Sequence, residues 1–201
     1  MIIGISGESG SGKSAVCKYL SKKGFYIIDV DCLAKSLYEK IDSEGYKKIL
    51  KTFGNKILLD SGKINKRYLG RIVFKNKSQM KKLNTIMFPL IYKKLKEIVT
   101  ILGKDKKLVL DAALLIKTKL QKFVDFTIII TADRETRIKR LLKRKVDSNI
   151  VVGMADAVKF TKKDLDKAKL ILFNNNDNDL QKIKKELEEF LDKYYAFIDW
   201  G

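Results

Sequence analysis

The chain has 201 residues, enough for one sizeable core with a small appended lobe, and 45% hydrophobic content to fill it. With two cysteines and no histidine it excludes a disulfide framework, histidine metal ligands and histidine general bases. The first motif begins at Gly7 with no basic segment and apolar leader ahead of it, and no apolar run reaches the ~18 residues that span a bilayer, so a cytoplasmic protein with no membrane partner is expected.

The first predicted element is a strand over residues 2–6, and it runs into Gly7-Glu8-Ser9-Gly10-Ser11-Gly12-Lys13-Ser14, a full match to G-x-x-x-x-G-K-[ST]. A helix pattern follows over 13–22, with Val16 and Leu20 on one side. A glycine loop opening a helix points a nest of peptide N–H groups at a phosphate chain. Gly7, Gly10, Ser11, Gly12, Lys13, Ser14 and Ala15 are therefore the expected contacts of a nucleoside triphosphate. Lys13 would neutralise the outer phosphates and the Ser14 hydroxyl would hold Mg²⁺.

A second strand is predicted over 25–29 and ends in Asp29-Val30-Asp31. If the segment stays extended, both carboxylates face one way, and either can orient an acceptor hydroxyl and take its proton. Either can instead cap the helix that follows. Asp31 is the favoured base. Residues 32–102 read as a helical insertion with one turn at Leu59-Asp60-Ser61-Gly62, and Pro89, the only proline, should kink or start a helix.

Strands are predicted again over 107–112, 126–131 and 170–173; Asp111, which follows the apolar run 108–110, reads either as a carboxylate that would hold the metal through water or as an ordinary aspartate ending a buried strand. The helix over 134–145 carries four of the six arginines. The spacing of Arg137, Arg140 and Arg144 puts them on one face, opposite Ile138, Leu141 and Leu142, where guanidinium forks could grip phosphate oxygens. Residues 146–165, charged and weakly periodic, suit a mobile lid or an ordinary helical connection. From Leu180 onward, Ile183, Leu187, Phe190, Leu191 and Tyr194 form a packing stripe. Strands alternating with helices predict an α/β fold with a parallel sheet covered on both faces, and ligands bind such sheets beyond the carboxyl ends of the strands.

The net charge of +19 raises nucleic acid as a partner. Lysine supplies 37 of the 43 basic residues, scattered as doublets over nearly every predicted helix, which is the pattern of a solvated surface drifting toward lysine. No N-K-x-D guanine motif or L-S-G-G-Q signature is present, and the chain is short for a motor, so a small-molecule kinase is what remains.

The ordered set of motifs resembles the dephospho-coenzyme A kinase family. It comprises the opening 2–7 segment, the loop at 10–14, Asp29-Val30-Asp31 with Leu33-Ala34, Phe53-Gly54, Ile57-Leu58 with Gly62-Lys63-Ile64, Val73-Phe74, Leu83-Asn84, Pro89-Leu90-Ile91, Leu114-Leu115, Val124-Asp125, residues 140–144, and Ala168 with Asn174. The resemblance runs from Met1 to about Asp179. It implies a P-loop NTPase-like five-stranded parallel sheet with flanking helices, with residues 1–31, 103–145 and 166–201 as the nucleotide-binding core, 32–102 as a helical acceptor-binding insertion and 146–165 as a short lid. It further implies ATP and dephospho-CoA as partners, Mg²⁺ as cofactor, and phosphorylation of the ribose 3′-hydroxyl. Lys13, Asp31 and Arg144 would be catalytic, Arg140 would join the ATP contacts, Asp31, Lys35 and Phe88 would face the acceptor, and Ser14 and Asp111 the metal.

The chain departs from the family pattern on the acceptor and lid side. Phe88 stands where the family has histidine, Ala113 and Thr118 where it has a proline and an acid, Lys35 where it has arginine, and 152–158, including Met154, where the lid carries an arginine and a glutamine. The residues alone leave open a kinase with another nucleoside-like acceptor, or a weakly active nucleotide-binding protein with a basic surface for nucleic acid.

Overall fold

The structure is a computed structural model describing residues 1–103, 106–144, 148–176 and 179–199. Residues 146 and 147 of the expected lid, and 104–105, 145, 177–178 and 200–201 of the expected core, lie outside the described residues. In chain order the elements are β1 (Ile2–Gly7), α1 (Lys13–Lys22), β2 (Tyr26–Asp29), α2 (Val30–Glu39), α3 (Glu44–Phe53), α4 (Lys66–Lys75), α5 (Lys77–Leu102), β3 (Leu108–Asp111), β4 (Phe126–Thr131), α6 (Arg134–Lys143), α7 (Ser148–Asp156), α8 (Lys162–Leu165), β5 (Leu170–Phe173) and α9 (Asp179–Asp199).

The chain divides into two compact units, Met1–Ile28 with Asp105–Gly201, and Asp29–Lys104. The first is built on a five-stranded parallel sheet of order β2-β3-β1-β4-β5, with Ile5 opposite Asp111 and Gly7 opposite Ile130. β1 sits at the centre, and Ile3, Ile5, Leu108, Val109, Leu110, Ile128, Ile129 and Ile130 are wholly buried, as strands covered on both faces require. One face packs on α1 through Val16, Cys17 and Leu20, and on α9 through Ile183, Leu187 and Leu191. Phe126 meets Phe190 edge-on at 5.3 Å and Tyr194 at 4.3 Å between ring centroids, so the expected packing stripe is what holds α9.

The second unit is helical. α3 buries Tyr46, Ile49 and Phe53, and α5 buries Met87, Leu90, Ile91 and Leu95, each at helical spacing. Ser43, Asn65 and Asn76 cap α3, α4 and α5 through their side chains. Its one described piece of extended pairing, Leu58 opposite Ile64, flanks the turn predicted at 59–62, where Gly62 takes φ 74° and its carbonyl accepts from the Tyr46 hydroxyl at 2.6 Å.

Pro89 does not start a helix. It lies inside the 26-residue α5, where its missing N–H deprives the Thr85 carbonyl of its usual partner. Both residues lie on the exposed side of the helix, and the buried face built by Leu90 and Ile91 carries it through.

Candidate active site

β1 ends at Gly7 and the chain turns through Gly10 and Gly12, both at positive φ (86° and 98°), before α1 begins. Each glycine of the loop is required by close approach. A Cβ on Gly7 would lie 2.5 Å from the Ile130 carbonyl oxygen, one on Gly10 would lie 2.6 Å from the Arg137 carbonyl oxygen, and one on Gly12 would collide with the Asn174 side-chain nitrogen. The loop therefore rests on β4, α6 and the exit of β5. Gly12 is the N-cap of α1 and offers no side-chain acceptor; the Ala15 amide donates to the Gly12 carbonyl at 2.9 Å, which leaves the Lys13 and Ser14 amides at the head of the helix to face an anion. The Ser11 hydroxyl and one Glu8 carboxylate oxygen are buried without a hydrogen-bond partner, polar groups that the fold itself does not satisfy.

Lys13 donates to the carboxylate of Asp111, the last residue of β3, and the side chains are only 15% and 10% exposed. Sheet register explains the meeting, since Asp111 pairs with Ile5 beside the strand that feeds the loop. Ser14, the next residue, is exposed. Ser14 and Asp111 supply only hard oxygen donors, and one hydroxyl with one carboxylate is the small protein share that Mg²⁺ takes when phosphates and water complete its shell, so these residues fit that ion. Among the described residues no group of three or more acidic, cysteine or histidine side chains forms a metal cage.

The arginines of α6 part company. Arg137 and Leu141, four residues apart, are both buried, whereas Leu142 is 48% exposed, so the expected division into an arginine face and an apolar face is overturned. Arg137 can be buried because its Nε donates to the Ala132 carbonyl at 3.0 Å and Nη1 to the Ala155 carbonyl. Arg140 donates to the Asn174 carbonyl at 2.7 Å, to Asn174 Oδ1 at 3.3 Å and to the Asn176 carbonyl at 3.3 Å. Arg144 is exposed at the C-cap of α6.

The segment expected as a lid is anchored at several points. Val151 and Ala155 of α7 are buried against Leu141, and Val158 is buried beyond them. Arg134 grips Asp156 through two bonds of 2.9 and 3.0 Å and holds its carboxyl below the usual aspartate range. In α8, Thr161 and Asp164 form a capping box, and Lys117 pairs with Asp164 at 3.2 Å. The backbone amide of Thr161, then its hydroxyl and Lys117, bring the Asp164 carboxyl down to about 2.

In the helical unit, Asp29 caps α2, accepting from the Cys32 amide at 2.8 Å. Asp31 is exposed in the first turn of α2, so the extended geometry that would have aligned the two carboxylates is not what the chain adopts. Asp31 and Lys35 are exposed four residues apart, on one face of that helix. Phe88 is half-buried within α5.

The family model for dephospho-CoA kinase matches residues 1–180. The chain belongs to that family. The dephospho-CoA kinase of Fusobacterium nucleatum is 36% identical over 94% of this chain and 96% of its own length. That of Borreliella burgdorferi is 36% identical over 94% and 92%. Among solved structures, the protein TT1252 of Thermus thermophilus superposes with a TM-score of 0.77 at 25% identity, covering 96% of this chain and 97% of that one.

Within this family member, Asn174 is the site residue that residue-by-residue sequence reasoning left without a role. It sits in Asn174-Asn175-Asn176, which reads as asparagine-rich loop composition, yet it is 5% exposed and its Nδ2 donates to the Ser11 carbonyl at 2.7 Å. The available signal was its position, directly after the last strand, where ligand-handling residues of such sheets gather.

Proposed function

We propose that this protein transfers the γ-phosphoryl group of ATP to the ribose 3′-hydroxyl of dephospho-CoA, giving coenzyme A and ADP, in the cytoplasm. Family membership over residues 1–180, joined to the Lys13–Asp111 pair beside an open glycine loop, is the observation that carries this reading. The loop amides from Gly7 to Ala15 bind the phosphate chain. Lys13 exchanges its carboxylate partner for phosphate oxygens, which places a point charge where negative charge builds up in the transition state. Ser14 and Asp111 are the residues that would hold Mg²⁺, which supplies charge neutralisation along the β- and γ-phosphates.

In the transfer, the 3′-hydroxyl oxygen bonds to the γ-phosphorus while the bond from that phosphorus to the β–γ bridging oxygen breaks, releasing ADP. Asp31 takes the hydroxyl proton, Lys35 and Phe88 contact the acceptor, Arg140 serves the ATP side, and Arg144 neutralises transferred charge. Residues 32–102 serve as the acceptor-binding part and 146–165 as the lid.

The test is ADP release measured with and without dephospho-CoA. Turnover should require the acceptor, and Asp31→Asn should lower kcat by about 10²–10⁴-fold. ADP release at one rate in both conditions would contradict the assignment.

A further inference from the structure

A phosphate cradle accepts anions only while its peptide N–H groups point inward and its carbonyls point away. The peptide unit between Ser11 and Gly12 is free to turn over, because Gly12 stands at φ 98° and ψ 6° with no Cβ to resist rotation. Turned over, that unit would put the Ser11 carbonyl oxygen into the cradle and withdraw the Gly12 N–H from it. The Ser11 carbonyl is instead held by the Asn174 side-chain amide at 2.7 Å.

The direction of that amide is itself fixed. Asn174 N donates to the Thr131 carbonyl at 2.8 Å, which anchors its backbone to β4, and the Asn174 carbonyl accepts from Arg140 Nη1 at 2.7 Å. Arg140 Nη2 lies 3.3 Å from Asn174 Oδ1. A guanidinium can only donate, so the oxygen end of the amide must face Arg140, which leaves the nitrogen end for Ser11. The close approach of Asn174 to Gly12, where any Cβ would strike Nδ2, keeps the two in register.

From this network, and resting on the reading of the loop as a triphosphate cradle, we propose that Asn174 is a positioning residue that locks the Ser11–Gly12 peptide in its anion-accepting orientation, with Arg140 setting the direction of the locking amide. Neither side chain needs to touch the nucleotide. Arg140 serves ATP through Asn174.

The substitution Asn174→Asp keeps the shape and the acceptor that faces Arg140, but turns a carboxylate oxygen toward Ser11. That oxygen repels the carbonyl and accepts the Gly12 N–H of the turned-over peptide, so the variant favours the orientation that rejects phosphate. Asn174→Ala removes the preference without reversing it. ATP titration calorimetry on the full chain should rank dissociation constants wild type, then Asn174→Ala, then Asn174→Asp, with the last weaker by about tenfold or more. KM for ATP should follow, while KM for dephospho-CoA stays at its wild-type value. In amide NMR spectra the Gly12 resonance of the wild type, but not of Asn174→Asp, should move on adding ADP.

A merely structural role would instead rank the variants by melting temperature. Wild-type ATP affinity in Asn174→Asp, or weaker binding in Asn174→Ala than in Asn174→Asp, overturns the proposal. Should both variants fail to fold, Arg140→Lys decides, since the lock requires several-fold weaker ATP binding with unchanged acceptor KM, and unchanged ATP affinity overturns it. ATP titration needs no acceptor, so a wild type inert toward dephospho-CoA would overturn the acceptor assignment and leave the lock judged by these affinities alone.

Discussion

At the residue scale, the glycine loop is the part of the site most legible in the sequence, because each position has a one-residue physical meaning. Gly10 and Gly12 adopt left-handed φ and face neighbours that leave no room for a Cβ, whereas the pairing of Lys13 with Asp111 comes from sheet register and was not among the expectations for either residue. Arg137 was not legible. Its spacing relates it to Arg140 and Arg144, but whether a guanidinium is buried depends on carbonyls from residues 132 and 155, which no local pattern reveals. Removing Lys13 as Lys13→Ala should lower kcat/KM for ATP about a hundredfold or more in the coupled ADP assay, through loss of phosphate charge stabilisation. Asp111→Asn should shift the Mg²⁺ requirement to higher concentration, and an unchanged Mg²⁺ titration would remove Asp111 from the metal assignment.

At the element scale, long patterns were readable and short ones were not. The α9 stripe has five apolar positions and settles its helix, whereas α7 is held by Val151 and Ala155, a pair too brief to signal burial. α2 shows the same limit at one boundary. Sequence placed Asp29 and Asp31 at a strand end, but only the Asp29 cap determines that the helix has begun by Val30 and that the two side chains are not aligned by strand alternation. Leu141→Ala should cost about 2–5 kcal/mol in urea unfolding, since it opens a cavity under both α6 and α7.

The capping box of α8 carries a pH signature. Asp164 is lowered on folding, so its contribution is fully present above the unfolded value near 3.8 and fades as pH falls toward about 2. Melting curves collected from about pH 5 down to about pH 2 should show wild type losing stability relative to Asp164→Asn over that window, and parallel curves would contradict the assigned cap.

At the scale of the whole molecule, strand–helix alternation pointed to the α/β class and the parallel sheet, and the family resemblance to the five strands that the structure contains. The strand order follows from where each crossover helix packs, a long-range property that periodicity does not encode. The net charge of +19 comes mostly from lysine, 37 of the 43 basic residues. With lysine scattered over most helices, binding to a mixed-sequence oligonucleotide should vanish by physiological salt in a filter or anisotropy titration. Binding that persists there would restore the nucleic-acid reading. No described helix is long and apolar enough to cross a membrane.

If the proposed function holds, the phosphate held by the glycine loop is delivered to one hydroxyl of one acceptor. Phosphorus NMR of the product formed from ATP and dephospho-CoA reads that delivery site. A single new phosphomonoester should form on the ribose 3′ oxygen, appearing in step with ADP and slowed about a hundredfold or more in Lys13→Ala. Phosphate appearing at another position, or ADP accumulating with inorganic phosphate while dephospho-CoA stays unmodified, would contradict it.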